Sequence, residues 1–377
     1  MRTRLALFAA ALPLAFYAYA CSSDDDADPG EDAGADTSRP QTDSSTPQPD
    51  GSPPPPPPPP VDGGTDAGDG GTDAGPTCIG NPLTADGGTT DGGVALDAGV
   101  AMQIVTAQGA FVDGPQWFEG LGLVYSEVFN GNVRRVAADG GAPATLRAVA
   151  NVGLQRPVGN AVRNGVLLTA IVRNDQAGQA TIWQTQPDGG ALPNISPGTA
   201  TAPNDLAVAA NGTVYFTNPP YFGNANNAVF ATLPDGGGAA SFTNYTQGEE
   251  PNGIALSPDG KTLYVAFTNL RQIVKHSLAG DGGIGAAQVV VPNNGTIDQP
   301  DGIAVDVAGN LWVAEAAQAG QSGRVEVFSP TGQKWGEIPF PNQRPTGVAF
   351  GGADNKTVFI TVENGVFVYA SRCAGVR

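Results

Sequence analysis

One short phrase, repeated at a nearly constant interval, limits what this chain can become. It runs Pro, a variable residue, Gly or Asp, and then an apolar-Ala-apolar run. The clear copies are Pro203-Asn204-Asp205-Leu206-Ala207-Val208, Pro251-Asn252-Gly253-Ile254-Ala255-Leu256 and Pro300-Asp301-Gly302-Ile303-Ala304-Val305. Weaker copies stand at Pro157-Val158-Gly159 and Pro345-Thr346-Gly347, and successive copies begin 46, 48, 49 and 45 residues apart. A related Asp113-Gly114-Pro115 lies 44 residues before Pro157. A fixed period of this length marks a repeat architecture, in which each unit covers its neighbour's apolar face.

Each phrase is followed by a turn, at Asn164-Gly165, Asn211-Gly212, Asp259-Gly260, Gly309-Asn310 and Asn355-Lys356, and then by a β-branched and aromatic run such as Val214-Tyr215-Phe216-Thr217 or Leu311-Trp312-Val313-Ala314. Those runs have strand composition. A third strand then ends at a further turn, at Asp139, Asp188, Asp235, Asp281 and Pro330, spaced by 49, 47, 46 and 49 residues. No apolar period of 3.6 residues is sustained long enough for a helix of note. The unit is therefore four short antiparallel strands, and second strands starting at Leu123, Val166, Val214, Leu263, Leu311 and Val358 count six units. The fold class expected is all-β, a six-bladed β-propeller of four-stranded antiparallel blades. The last unit runs out of chain after Gly365–Tyr369, so its fourth strand has to come from Ala101–Ala107, which closes the ring and removes open strand edges.

The chain has 377 residues, and its first part reads differently. Met1–Ala20 carries Arg2 and Arg4 before an apolar run ending Ala18-Tyr19-Ala20-Cys21, the pattern of an export signal. Cys21 is then a candidate for lipid attachment; in the other reading the protein is simply secreted and Cys21 is incidental. From Ser22 to Pro76 the chain is mostly Asp, Gly, Ser, Thr and Pro, including Pro53–Pro60, and cannot bury enough apolar surface to order itself. The expected organisation is signal 1–20, acidic and Pro-rich tether 21–77, Gly/Asp-rich lead-in 78–100 and propeller 101–377. The tether holds −12 of the net −18, so the acidity belongs mainly to it and argues against nucleic-acid binding. Cys78 and Cys373 bracket the folded region and are expected to pair in an exported protein, two free thiols being the alternative. Closing so long a loop would contribute about 4–5 kcal/mol in the chain-entropy picture.

In a propeller the innermost strand of every blade lines the central channel, and the repeated phrase opens that strand. Its variable position then presents Asp113, Val158, Asn204, Asn252, Asp301 and Thr346 in turn at one mouth, with no Lys, Arg or His among the six. Converging carboxylates and amide oxygens suit a hard cation such as Ca²⁺. Asn and Asp also cap strand starts through turn hydrogen bonds, which would account for any single copy but less well for four in register. His276 falls in the third strand of the fourth blade, where packing is its expected role, and the four Trp residues are expected between blades.

The same residues carry a resemblance. Asp113-Gly114-Pro115-Gln116-Trp117, Pro203-Asn204-Asp205, Pro251-Asn252-Gly253 with Ser257-Pro258-Asp259-Gly260-Lys261, Pro300-Asp301-Gly302, and Pro345-Thr346-Gly347 together resemble the regucalcin/gluconolactonase family over about Gly109 to Tyr369. The resemblance implies a divalent metal, Ca²⁺ as the expected ion, on Asp113, Asn252 and Asp301. It also implies Asn204 near metal and substrate, and lactone hydrolysis with Asp301 as general base. Thr199 stands where the family's substrate-binding Arg is found, and Tyr221 closes a Thr217-Asn218-Pro219-Pro220-Tyr221 version of the family's Thr-Asp-Pro-Pro-Tyr; both are candidate substrate contacts. Asp113 in place of Glu, Asn218 in place of Asp, and Ala170-Ile171-Val172 in place of Glu-His-Gly depart from the family pattern. The expected protein is an exported, monomeric hydrolase acting on a small molecule. It would be either anchored in the cell envelope through Cys21, its sole contact with a membrane, or secreted. The alternative is a surface-displayed binding propeller whose metal is structural.

Overall fold

The second strand of each unit is apolar towards both sides, and such a strand is stable only between two other layers. In Gly122–Glu127, Val214–Asn218, Leu311–Glu315 and Thr357–Val362 every residue is buried. The computed structural model describes residues 78, 81–83, 88–89, 95–96, 99–137, 141–152, 154–173, 180–220, 227–232, 239–245, 249–279, 284–316 and 322–376. The signal, Cys21, the tether and Tyr221 lie outside them.

Six four-stranded antiparallel sheets form a six-bladed β-propeller. The first strands are Val112–Phe118, Gln155–Arg163, Leu206–Val208, Pro251–Leu256, Pro300–Val305 and Pro345–Gly351. In blades 1 to 5 the other three strands follow in chain order. Each first strand lies against the first strand of the next blade, and the last returns to the first. Blade 6 is completed by Met102–Thr106, antiparallel to Gly365–Ala370, so the expected ring closure is what forms. The lead-in also carries a small two-stranded sheet, Gly88–Thr89 with Ala95–Leu96.

Large side chains fill the wedges between blades. Trp117 of blade 1 stacks on Phe359 of blade 6 with ring centroids 5.5 Å apart, and fully buried Trp312 of blade 5 meets Phe350 of blade 6 edge-on. His276 is buried in blade 4, between the Tyr245 hydroxyl and the Gly285 carbonyl, each 3.0 Å from a ring nitrogen. Blade 5 buries an ion network in which Arg324 meets Glu315 and Glu326 at 2.7 and 2.9 Å.

Beyond blade 6 the chain turns back against blades 5 and 6. Val376 N–H donates to Val305 O at 3.0 Å, Val307 N–H to Ala374 O at 2.9 Å, and Gly375 N–H to Asn355 O at 2.8 Å. Cys373, buried within this segment, forms a disulfide with Cys78, with the two Cα atoms 5.4 Å apart. Arg372 N–H donates to Pro82 O and the Tyr369 hydroxyl to Leu83 O, at 3.1 and 2.6 Å, which holds the same part of the lead-in against blade 6.

Candidate active site at the channel mouth

The repeated phrase is a β-bulge. In blades 1, 2, 4, 5 and 6 the pairing of first and second strands slips across it, between Asp113 and Gln116, Pro157 and Asn160, Pro251 and Ile254, Pro300 and Ile303, and Pro345 and Gly347. A bulge re-aims one side chain out of the regular alternation. Glycine follows that side chain because the next blade is in contact there. A Cβ on Gly253 would stand 2.1 Å from Asp301 O, and one on Gly159 would stand 2.4 Å from Asn204 O. The inner ring therefore closes backbone to backbone, and it leaves the variable side chains around a channel cavity of about 450 Å³.

Asp113, Asn204, Asn252, Asp301 and Thr346 all line that cavity. Asn204, Asn252 and Asp301 are buried. Val158, the apolar position of the ring, is buried against Val172 and Ala202. Thr346 bonds to the structure around it, with Val112 O at 2.7 Å and Thr361 Oγ1 at 2.9 Å, and its hydroxyl also favours the charged form of Asp113. Asn252 donates Nδ2 to Thr268 Oγ1 at 3.1 Å, and this fixes the amide so that Oδ1 is the atom left to act as a ligand. Asn218 is buried, and its Oδ1 accepts the Thr201 and Ala202 amides at 3.0 and 2.7 Å, a structural role. Thr199 sits on an exposed turn and does not line the cavity.

A third carboxylate joins the two expected ones. Asp205 occupies the place that other copies of the phrase give to Gly, and it also lines the cavity. Its Oδ2 accepts the Ile254 amide of the next blade at 3.0 Å and its Oδ1 accepts the Leu206 amide at 2.9 Å. Burial pushes Asp205 up to about 6 against those amides. Burial likewise pushes Asp113 up to about 7, with the Asp205 charge adding to it and the Gly114 amide, 2.7 Å away, opposing it. Asp301 is raised well above the usual carboxylate range, first by burial and then by Asp113 and Asp205, while Arg344 pulls it down. Arg344 directly precedes the Pro345 phrase and is anchored to Ala316 O at 2.6 Å and Glu363 at 2.8 Å. A cation thus stands behind the mouth, although none belongs to the six ring positions.

A second positioning residue comes from blade 2. Asn160 is buried, donates Nδ2 to Gly114 O at 2.7 Å and Ser126 Oγ at 2.9 Å, and accepts from Thr169 at 2.7 Å. It fixes the loop that carries Asp113.

Among the described residues no three Asp, Glu, His or Cys side chains gather closely enough to hold an ion by themselves. Any cation at the mouth would draw on the Asn oxygens as well. The donor set fits a hard, oxygen-seeking divalent ion, because clustered carboxylates, with Asp205 raising Asp113 and both raising Asp301, are relieved by a positive charge and no soft ligand is among them.

Residues 111–364 match the family model described as SMP-30/Gluconolactonase/LRE-like region. The chain belongs to this family. Among its relatives, gluconolactonase of Zymomonas mobilis is 25% identical over 312 residues, covering 72% of this chain and 81% of that protein. The 6-deoxy-6-sulfogluconolactonase of Pseudomonas putida is 40% identical over 111 residues; that match spans 29% of this chain and only 37% of the relative. A solved gluconolactonase from Xanthomonas campestris superposes with a TM-score of 0.59 at 26% identity, over 72% of this chain and 89% of that one. Within the SMP-30/gluconolactonase frame, Asp113 and Asp301 hold corresponding places on two bulges of one ring.

Proposed function

We propose that this protein is a lactone hydrolase that depends on a divalent cation, Ca²⁺ being the ion its ligands suit best. The observation that carries this reading is the concentration of acid, buried or half-buried, at one mouth. Asp113 and Asp301 face a shared cavity, Asp113 and Asp205 both raise Asp301's affinity for a proton, and Asn252 and Asn204 add neutral oxygens beside them. Lactonases among the relatives give the reaction class.

Asp113, Asn252 and Asp301 would hold the cation. When bound it would supply positive charge for the ester carbonyl oxygen and for the oxyanion that develops there. Asp301 takes the proton of the attacking water as general base and returns it to the leaving alkoxide, so that a lactone and one water give a hydroxy acid. Asn204, buried at the rim of the cavity, orients the substrate through its amide. Asn160 and Thr346 keep the bulges of blades 1 and 6 in place. No Ser-His pair is called for, which suits a chain with one histidine that is bonded elsewhere. Export, with Met1–Ala20 as signal, Cys21 as lipid site and residues 21–77 as tether, belongs to the same proposal; the Cys78–Cys373 disulfide suits an oxidising compartment.

The test is a panel of lactones offered to the protein with Ca²⁺ and with chelator, beside Asp301→Ala. Hydrolysis that is lost on chelation and in the variant is the expected result. One finding favours a second reading: Thr199 is exposed and the Asn218 oxygen is bonded to backbone, so these two altered family positions do not line the cavity. A protein that Ca²⁺ stabilises but that opens no lactone would be a binding propeller with a structural ion.

A further inference from the structure

One hydroxyl joins two of the proposed ligands across a blade boundary. Thr268, half-buried, follows Thr262–Phe267, the second strand of blade 4. Its Oγ1 accepts a hydrogen from Asn252 Nδ2 at 3.1 Å and donates to Pro300 O at 2.8 Å, on the peptide that leads into Asp301. Its own N–H donates to Glu250 O at 3.1 Å, just before the Pro251 phrase.

The chemistry of these groups leaves one arrangement. A carbonyl oxygen can only accept, so the one hydroxyl hydrogen of Thr268 is committed to Pro300 O. The Thr268 oxygen can then only accept, and what faces it has to be the NH₂ end of the Asn252 amide. Turned the other way, the amide would set its oxygen against the Thr268 oxygen and aim N–H hydrogens into the mouth. The Asn252 oxygen is thereby kept for the cavity that Asn252 lines, where a hard cation can use it.

The backbone on either side is secured by other groups. Blade 3 holds the Asn252 bulge: the Thr217 hydroxyl donates to Asn252 O at 2.6 Å, and Ile254 N–H donates to Asp205 Oδ2 at 3.0 Å. The segment before Asp301 is held by blade 5 itself, with Asp298 N–H donating to Glu315 Oε1 and Ala316 N–H to Gln299 O, both at 3.0 Å. An ion pair of 3.2 Å between Arg271 and Asp298 adds to this. What the Thr268 hydroxyl supplies beyond these is the direction of one amide and its tie to the Asp301 peptide.

We infer that Thr268 is a positioning residue of the mouth: it turns Asn252 into an oxygen ligand and couples that ligand to Asp301. This rests on the hydrolase reading above, which makes Asn252 and Asp301 ligands. Groups that stand behind metal ligands tune metal affinity by about 10–100-fold.

The experiment titrates Ca²⁺ calorimetrically into chelator-treated full-length protein and follows lactone hydrolysis against Ca²⁺ concentration, for wild type, Thr268→Val and Thr268→Ser. Thr268→Val keeps the shape and removes the hydroxyl; it should weaken Ca²⁺ binding about tenfold and raise the half-saturating Ca²⁺ concentration by a similar factor. At saturating Ca²⁺ its kcat should fall at most about threefold. Thr268→Ser restores the hydroxyl and should bind Ca²⁺ within about twofold of wild type. If Thr268→Val does not fold, Thr268→Ala carries the same expectation. Wild-type Ca²⁺ affinity in Thr268→Val, or equal weakening in Thr268→Ser, overturns the inference, as does a melting temperature of chelated protein that falls while Ca²⁺ affinity stays put, since that is a role in stability alone. A wild type that binds Ca²⁺ and opens no lactone defeats the hydrolase reading separately, and the calorimetry still decides for or against Thr268. A wild type that does neither removes both.

Discussion

The two ends of the channel are made from opposite chemistry. At the mouth, Asp113, Asp205 and Asp301 are all raised by burial, and the bulges that hold Asp113 and Asp301 break the regular pairing of the strands. At the far end Val305, Phe350 and Val376 line the cavity, and the C-terminal segment is tied by backbone hydrogen bonds to Val305, Val307 and Asn355. The far end is what a fold produces when it only has to be stable. Groups that are costly to keep charged, gathered at one end of an otherwise apolar channel, make that end the candidate site.

The contrast can be broken in several ways. The largest effect should come from Asp301→Asn, which keeps the shape and removes the proposed base: lactone turnover should fall by about 10²–10⁴ in kcat while circular dichroism stays that of the wild type. Cys373→Ser acts on the far end and should do the reverse. Freeing the C-terminal segment from the lead-in should lower the melting temperature by about 5–10 °C, read by calorimetry, with kcat at low temperature changed by no more than about twofold.

A smaller effect should follow pH. Burial disfavours the charged forms of Asp113 and Asp205, so the chelated folded protein holds their protons up to about 7 and about 6, whereas the unfolded chain releases them near 3.8. Between those values the folded state binds more protons, and its stability falls as pH rises. The melting temperature of chelated protein should therefore drop from pH 5 to pH 7.5, and Ca²⁺ should remove much of that slope. The smallest effect belongs to Val376→Ala, which trims a half-buried side chain at the far end; it should cost about 1 kcal/mol in a denaturant titration and leave hydrolysis in place.

The blades were legible because a propeller repeats its strand and turn chemistry. Second strands expected at Leu123, Val166, Val214, Leu263, Leu311 and Val358 begin within one residue of those positions, and Met102–Thr106 closes the ring. Asp113, Asn204, Asn252 and Asp301 reach one cavity for the same reason. Asp205 escaped because Gly and Asp are both good turn residues, and a period argument treats them alike. What distinguishes them is the close approach of the next blade, which elsewhere leaves no room for a Cβ. Arg344 and Asn160 escaped because their roles come from contacts between blades, and no local pattern encodes those. The C-terminal segment has no periodicity to read; only its disulfide partner hinted that it was held.

Calorimetric titration of Ca²⁺ into chelator-treated protein at pH 7, run in two buffers of different ionisation enthalpy, asks the mouth directly whether its acids serve a cation. One ion per chain, bound with release of protons from the raised carboxylates and lost in Asp301→Asn, is the expected result. Absence of binding, or binding that Asp301→Asn leaves intact, would contradict it.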